Sequence, residues 1–145
     1  MAVICPTVLA ENPHQYREQI ERVAPFATRI HLDFADGKFT DVKTPSLDQT
    51  WWPHTMQADL HIMYRNPSEY LDAIIPLNPH MVIIHAEAEG DSVAFADALH
   101  QAGIQVGMAL LPETPVESIR AATGWLDHVL IFSGHLGHFG GTAKL

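Results

Sequence analysis

Histidine and aspartate residues lie inside apolar stretches of this sequence, where they could act together as metal ligands. His31 and Asp33 alternate with apolar residues in one stretch, His61 lies in a second and His85 in a third. A buried imidazole or carboxylate needs a partner, and one divalent cation can satisfy several such groups at once. Two histidines and one carboxylate suit zinc, iron, manganese or cobalt and leave coordination positions open for a substrate oxygen. A structural polar cluster is the alternative that these residues alone leave open.

The elements that would position these side chains alternate between strands and helices. Strands are predicted from short runs rich in Val, Ile, Leu and Met, and helices from a 3.6-residue period bounded by Asn, Asp, Pro and Gly. The predicted strands are residues 3–9, 29–34, 58–64, 81–86, 104–110 and 128–133. The predicted helices are residues 13–23, 68–75, 91–102 and 115–123. Residues 36–57 are predicted to form a long loop with at most a short helix.

This alternation is typical of βαβ units around a parallel sheet. Such a sheet either closes into a (β/α)₈ barrel or stays open and doubly wound. Alternate residues of a strand share one face, so His31, Asp33 and His61 are predicted to face the same side of the sheet, with His85 as a further candidate for that face. Six strands in 145 residues would amount to three quarters of a barrel, and because no internal linker is visible we expect one domain over residues 1–145.

Composition excludes some classes of partner. Eight Lys and Arg residues against seventeen Asp and Glu residues give a net charge of −9, which argues against a nucleic-acid partner held by a basic face. No uncharged apolar run approaches the roughly 18 residues of a membrane span, so we expect a cytoplasmic protein without a membrane partner. The single cysteine, Cys5, is expected to be a buried and inert thiol. The oligomeric state stays open, with a homo-oligomer as one option.

Several loop segments admit two interpretations. The glycine-rich residues 133–142 could cradle a phosphate with backbone N–H groups or form a mobile tail. The pair Asp36-Gly37 is predicted to form a turn, and Thr114 to cap the helix that follows it. Trp51 and Trp52 are predicted to cover one end of a barrel rather than to line a pocket.

Along its whole length the sequence resembles the ribulose-phosphate 3-epimerase family of (β/α)₈-barrel enzymes. Six motifs carry the resemblance, and they occur in the family's order. They are Cys5-Pro6-Thr7-Val8-Leu9, the run from Ile30 to Phe39, Asp59-Leu60-His61-Ile62-Met63, Ile84-His85-Ala86-Glu87-Ala88, the run from Gly107 to Pro115, and Val129-Leu130-Ile131-Phe132-Ser133 followed by Phe139-Gly140-Gly141. The fold that this resemblance implies is a ribulose-phosphate-binding TIM barrel, here truncated after the sixth strand.

The resemblance also implies an activity, the interconversion of D-ribulose 5-phosphate and D-xylulose 5-phosphate by proton abstraction at carbon 3. His31, Asp33 and His61 would hold a divalent metal, with zinc preferred over iron, manganese or cobalt, and Asp33 would also be one of two acid/base carboxylates. The residues implied to contact the phosphorylated ketose are Thr7, His61, Met63, Phe139, Gly140 and Gly141. Inversion requires one carboxylate on each face of a planar intermediate, which fits a metal-assisted mechanism.

Departures from the family leave two alternatives open. The family's second carboxylate is an Asp on a seventh strand, which this sequence lacks, and Ala35 and Phe132 stand where the family commonly has Met. One alternative is therefore an epimerase of another ketose phosphate, such as allulose 6-phosphate. The other is a non-catalytic partial barrel that binds a metal or a sugar phosphate.

Overall fold

The computed structural model of the protein describes residues 3–138, and in this part of the chain six parallel strands form one sheet. Neighbours in the sheet follow the order of the chain, so the strand order never reverses as it does in a doubly wound sheet. This order is that of a (β/α)₈ barrel and confirms the predicted fold class. The strands are β1 (Thr7–Val8), β2 (Arg29–Ala35), β3 (Gln57–Met63), β4 (Met81–His85), β5 (Gln105–Leu110) and β6 (His128–Ile131).

Two helices match their predicted ends closely. Helix α1 (Pro13–Val23) begins after Asn12, whose side chain accepts a hydrogen bond from the backbone N–H of Gln15. The helix Ser92–Gln101 begins after Asp91, whose carboxylate accepts hydrogen bonds from two backbone N–H groups. It stops before Gly103, which adopts the positive φ of 77° that favours glycine.

The other two predicted helices are shorter and tighter than expected. Residues 68–75 fall in a 3₁₀ turn (Pro67–Tyr70), one turn of α-helix, α2 (Leu71–Ile74), and a second 3₁₀ turn (Ile75–Leu77). The helix Ser92–Gln101 is therefore numbered α3. Pro76 lacks the N–H that a continuing helix would need. Residues 115–123 form the 3₁₀ helix Val116–Ala122, and the prediction that Thr114 caps it is wrong, because the capping position is Pro115 and makes no side-chain bond.

The two outer strands are also shorter than predicted. Only Thr7–Val8 and His128–Ile131 are regular strand, since each outer strand pairs with a single neighbour. Pro6 has no N–H to donate, although its carbonyl accepts a hydrogen bond from the N–H of His31. Val3 and Ile4, which belong to the first predicted strand, are largely exposed.

The sheet separates an apolar face from a polar face, as its period of two predicts. Ile30, Leu32 and Phe34 of β2 are fully buried in the main core with residues of α1 and α3. His31 and Asp33 point to the opposite face, which surrounds a cavity of about 710 Å³. Side chains from β1, β2, β3 and β6 all line this cavity, so the sheet curves around it.

The connection between β2 and β3 is long and irregular, which confirms the prediction. It contains the 3₁₀ turn Leu47–Gln49 and one isolated bridge between Asp36 and Lys43. Trp52 packs against the main core, whereas Trp51 is partly exposed and accepts a hydrogen bond on its carbonyl from the Tyr16 hydroxyl at 2.8 Å. Both tryptophans also line a groove of about 840 Å³, so they cover the core and border a pocket together. Among the described residues no helix has the length and apolar character needed to cross a bilayer.

Candidate metal centre

Strand register brings the predicted metal ligands together. Asp33 on β2 lies directly opposite His61 on β3, and His31 lies two residues before Asp33 on the same face. Thr7 on β1 is the register partner of His31, so it borders the same group. The prediction that these side chains face one concave surface is confirmed.

The Asp33 carboxylate is the centre of this group. Its Oδ1 lies 3.1 Å from Nε2 of His31 and 2.8 Å from Nδ1 of His61. One donor atom from each of the three residues lies within 4.8 Å of the others. Two imidazole nitrogens and a carboxylate oxygen at this spacing fit a divalent first-row cation such as zinc, so the donor set suits a metal.

The electrostatics of Asp33 favour an ionised carboxylate. Burial alone would raise its pKa, but hydrogen bonds and positive charge from His31 and His61 lower the pKa from 3.8 to about 2. Asp33 is therefore negatively charged at neutral pH and can attract a cation. Its second oxygen, Oδ2, makes no hydrogen bond within the described residues, and the residue lines the cavity.

His85 and Glu87 form a second layer of side chains behind His61. The sequence reasoning offered His85 as a further member of the polar group but gave neither residue a separate role. His85 on β4 is 2% exposed, and its Nε2 lies 2.8 Å from Nε2 of His61. Its other nitrogen, Nδ1, lies 3.3 Å from Oε2 of Glu87. Oε1 of Glu87 accepts the backbone N–H of Leu111 at 3.0 Å. The period of two along β4 places His85 on the polar face, as predicted, and its continuation places Glu87 there too.

Burial and hydrogen bonding together set the charge states of this second layer. Burial and the neighbouring His61 hold the pKa of His85 well below its usual range, so its ring is neutral. Burial would raise the pKa of Glu87, but hydrogen bonds from the Thr114 side chain and the Leu111 N–H outweigh it and lower that pKa. Thr114 thus serves Glu87 instead of capping a helix.

Apolar side chains line much of the cavity wall around the polar group. Met63, at the end of β3, is buried and lines the cavity together with Ile83 of β4. Leu130 of β6 and Phe132 after it complete the wall on the far side. Thr7 also lines the cavity, but the described residues show no hydrogen bond from its hydroxyl, and its contact with a substrate stays a prediction.

The amino end of the same cavity holds a different carboxylate. Asp59 of β3 accepts hydrogen bonds from Nε and a terminal nitrogen of Arg29 at 2.9 and 3.1 Å. The thiol of Cys5 lies 4.0 Å from this carboxylate. Cys5 is partly rather than fully buried, and this burial, followed by the charge of Asp59, raises its pKa to about 11. A raised pKa favours the expected inert thiol, which stays a prediction.

Two loops meet at the carboxyl end of the strands. Asp36 and Gly37 form the predicted turn, in which the Asp36 carboxylate accepts the N–H groups of Lys38 and Phe39 and Gly37 has a φ of 71°. Gly137 packs so closely on Val42 that an added Cβ would lie 2.9 Å from it. Leu136 and His138 also contact this loop, through Thr40 and Asp41, so residues 136–138 pack on the loop after β2. Phe139, Gly140 and Gly141, predicted to bind the substrate, lie outside the described residues.

Comparison with known proteins identifies relatives over almost all of the chain. The model of the ribulose-phosphate 3 epimerase family matches residues 3–143. A ribulose-phosphate 3-epimerase from Helicobacter pylori is 30% identical over 141 residues, which are 95% of this chain and 64% of that protein. The Bacillus subtilis enzyme of the same name is 29% identical over 97% of this chain and 66% of its own length. The Schizosaccharomyces pombe enzyme is 27% identical over 91% of this chain and 61% of its own length.

The chain thus spans between three fifths and two thirds of the length of these three relatives.

Proposed function

This chain belongs to the ribulose-phosphate 3-epimerase family, and we propose that it supplies the metal-binding half of a site that interconverts D-ribulose 5-phosphate and D-xylulose 5-phosphate. The observation that carries the proposal is the position of Asp33, an ionised carboxylate hydrogen-bonded to two histidines at the wall of a cavity. Removal of a proton beside a ketone needs a base, and a cation that polarises the carbonyl oxygen assists it.

His31, Asp33 and His61 would hold the divalent cation, and zinc suits this donor set best. When bound, the cation would polarise the substrate carbonyl and so acidify the adjacent C–H bond at carbon 3. This chemistry needs the two rings in their neutral forms, because only a free ring lone pair can bind a metal.

Asp33 would act as the base for one face of carbon 3. Its Oδ1 is engaged by the two histidines, whereas Oδ2 has no partner among the described residues. The abstracted proton would be held at Oδ2 and returned from there. Met63 and Phe132 would border the planar carbon on apolar surface, and Thr7 would offer a hydroxyl to the substrate.

Inversion also needs an acid on the opposite face of carbon 3. Among the described residues that line the cavity, the other carboxylate is Asp59, and Arg29 already engages both of its oxygens. A single base can still exchange the carbon-3 proton of one epimer with solvent. Exchange is therefore the partial reaction that isolates the role of Asp33.

The test is deuterium exchange at carbon 3, measured by proton NMR in D₂O with the zinc-loaded chain. Each of the two pentulose 5-phosphates is incubated separately, and zinc-dependent loss of the carbon-3 signal is expected for one of them. The exchange rate should fall by about 1,000-fold in Asp33→Asn, in line with the loss of a general base and a ligand. Asp48→Asn, an exposed carboxylate in the β2–β3 connection, is the matched control and should keep the full rate.

Two results would contradict the proposal. One is equal exchange by the wild-type chain and Asp33→Asn. The other is zinc binding without exchange of either epimer, which would support the non-catalytic binding protein instead.

A further inference from the structure

The side chains behind His61 form a continuous line of hydrogen bonds that ends on the backbone. The line runs from His61 through His85 to Glu87, with contacts of 2.8 and 3.3 Å, and finishes at the N–H of Leu111. Neither His85 nor Glu87 lines the cavity around Asp33. The line therefore acts on the site through His61.

The direction of every hydrogen bond in the line follows from its far end. The Leu111 N–H can only donate, and the Glu87 carboxylate can only accept, so Nδ1 of His85 must carry a proton and donate it to Glu87. With its one ring proton on Nδ1, His85 has its lone pair on Nε2, which faces Nε2 of His61 and can accept a hydrogen bond from it. At the other end of the line, Nδ1 of His61 donates to the Asp33 carboxylate, which can only accept. To become a metal ligand, His61 would give up that Nδ1 proton and keep Nε2–H, whose acceptor is His85.

Nδ1 of His61 is the nitrogen that faces Asp33 and His31. We propose that His85 and Glu87 are positioning residues that select the His61 tautomer with Nε2–H, and so present the Nδ1 lone pair of His61 to a divalent cation. This inference rests on the metal site proposed above. It assigns a specific task to two residues that touch neither the cation nor the substrate.

Packing holds the line in place from both sides. The ring of His85 lies between those of His61 and Phe39, with centroid separations of 5.0 Å on each side. Both His85 and His61 are 2% exposed, so water does not compete for their ring nitrogens. A fixed outer partner of this kind orients a ligand histidine and raises its affinity for metal.

Glu87→Gln tests the inference with almost no change in shape. If the introduced amide keeps its oxygen on the Leu111 N–H, its NH₂ group faces His85 and reverses both inner hydrogen bonds. His61 would then carry its proton on Nδ1 and lose the lone pair that faces the cation. We expect Zn²⁺ and Co²⁺ to bind about 10- to 100-fold more weakly, measured by competition with a chromophoric chelator. Glu89→Gln makes the same charge change at an exposed position two residues away and should leave both affinities unchanged.

A second measurement on the wild-type protein does not depend on any variant. Long-range proton–nitrogen NMR correlations of the Zn²⁺-loaded chain report which ring nitrogen of each histidine carries the proton. We expect a proton on Nε2 of His61 and on Nδ1 of His85.

The outcomes separate this inference from the proposed function. A wild-type chain that binds neither Zn²⁺ nor Co²⁺ would overturn the metal site itself. A wild-type chain that binds metal, together with Glu87→Gln at equal affinity or a proton on Nδ1 of His61, would overturn the positioning role alone.

Discussion

The cavity of this barrel sheet holds two carboxylates that differ in what neutralises them. At the amino end, Asp59 is paired with the guanidinium of Arg29 through two hydrogen bonds. At the carboxyl end, the partners of Asp33 within residues 3–138 are the histidines His31 and His61. Both carboxylates lie on the inner face of neighbouring strands, and Asp59 is the register partner of His31.

This difference separates a structural pair from the proposed metal-binding site. Arg29, a permanent cation from the chain itself, neutralises Asp59 and bonds both of its oxygens. Histidines can lose their protons at neutral pH, so the group around Asp33 can exchange protons for a metal. The carboxyl ends of barrel strands are also where enzymes of this fold place their chemistry.

The largest expected effect is the loss of metal binding in Asp33→Asn. The amide is a poor ligand and carries no charge. Zn²⁺ affinity should therefore fall by about 1,000-fold, the loss expected when one of three ligands is removed. Titration calorimetry with a competing chelator measures this change. Asp59→Asn is the control. Its Zn²⁺ affinity should stay within about threefold of the wild type, because Asp59 is paired with Arg29 and is not one of the proposed ligands. Comparable losses in the two variants would break the distinction between the two carboxylates.

Asp59→Asn should instead lower the free energy of unfolding, by about 3 kcal/mol. The cause is the Arg29 guanidinium, which would remain partly buried without its counter-charge. Urea unfolding followed by circular dichroism measures the change. The double variant Arg29→Met with Asp59→Leu should recover most of the loss, because an apolar pair needs no counter-charge. If Asp59→Asn had the same free energy of unfolding as the wild type, the Arg29–Asp59 pair would have no stabilising role.

The thiol of Cys5, which lies beside the Arg29–Asp59 pair, should react slowly. A pKa of about 11, against an ordinary 9.0, makes the Cys5 thiolate about 100-fold rarer at pH 8 than in the unfolded chain. Iodoacetamide should therefore alkylate Cys5 about 100-fold more slowly in the folded protein than in urea. Asp59→Asn should speed the reaction, because the charge of Asp59 contributes to the raised pKa. Equal rates in the folded and unfolded protein would contradict this environment.

The smallest expected effect is the acid sensitivity of the metal-free protein. Because the pKa of Asp33 is lower in the folded chain, about 2 against 3.8, its contribution to stability is present above pH 4 and is lost as the pH falls towards 2. The loss should be about 2 kcal/mol. Urea unfolding at several pH values measures it, and Asp33→Asn should show a correspondingly flatter dependence. An identical pH dependence in both proteins would show that the histidines do not stabilise the ionised carboxylate.

The sequence predicted the central part of this arrangement because a period of two is visible in it. His31 and Asp33 interrupt an apolar strand at alternate positions, and parallel pairing then places His61 beside them. The two edge strands were predicted too long. The residue types in a segment such as 3–9 do not show that it pairs with only one neighbouring strand. Residues 68–75 and 115–123 were predicted as regular helices, since 3.6-residue and 3₁₀ periods are hard to separate over so few residues.

The roles of His85, Glu87 and Thr114 could not be predicted for a different reason. Glu87 depends on a backbone N–H from Leu111, which is distant in sequence and reaches it only through the pairing of β4 with β5. Thr114 has the residue type and place of a helix cap, yet its hydroxyl serves Glu87. Contacts of this kind depend on strand register and loop path, which the amino-acid pattern does not encode locally.

The most direct test of the account is a zinc-edge anomalous diffraction measurement on crystals of the chain grown with Zn²⁺. The account predicts one strong anomalous peak between the ring nitrogens of His31 and His61 and the Asp33 carboxylate, and its loss in Asp33→Asn. A zinc-containing crystal with no peak at these three residues, or with an unchanged peak in Asp33→Asn, would contradict the claim that this end of the cavity is a metal centre.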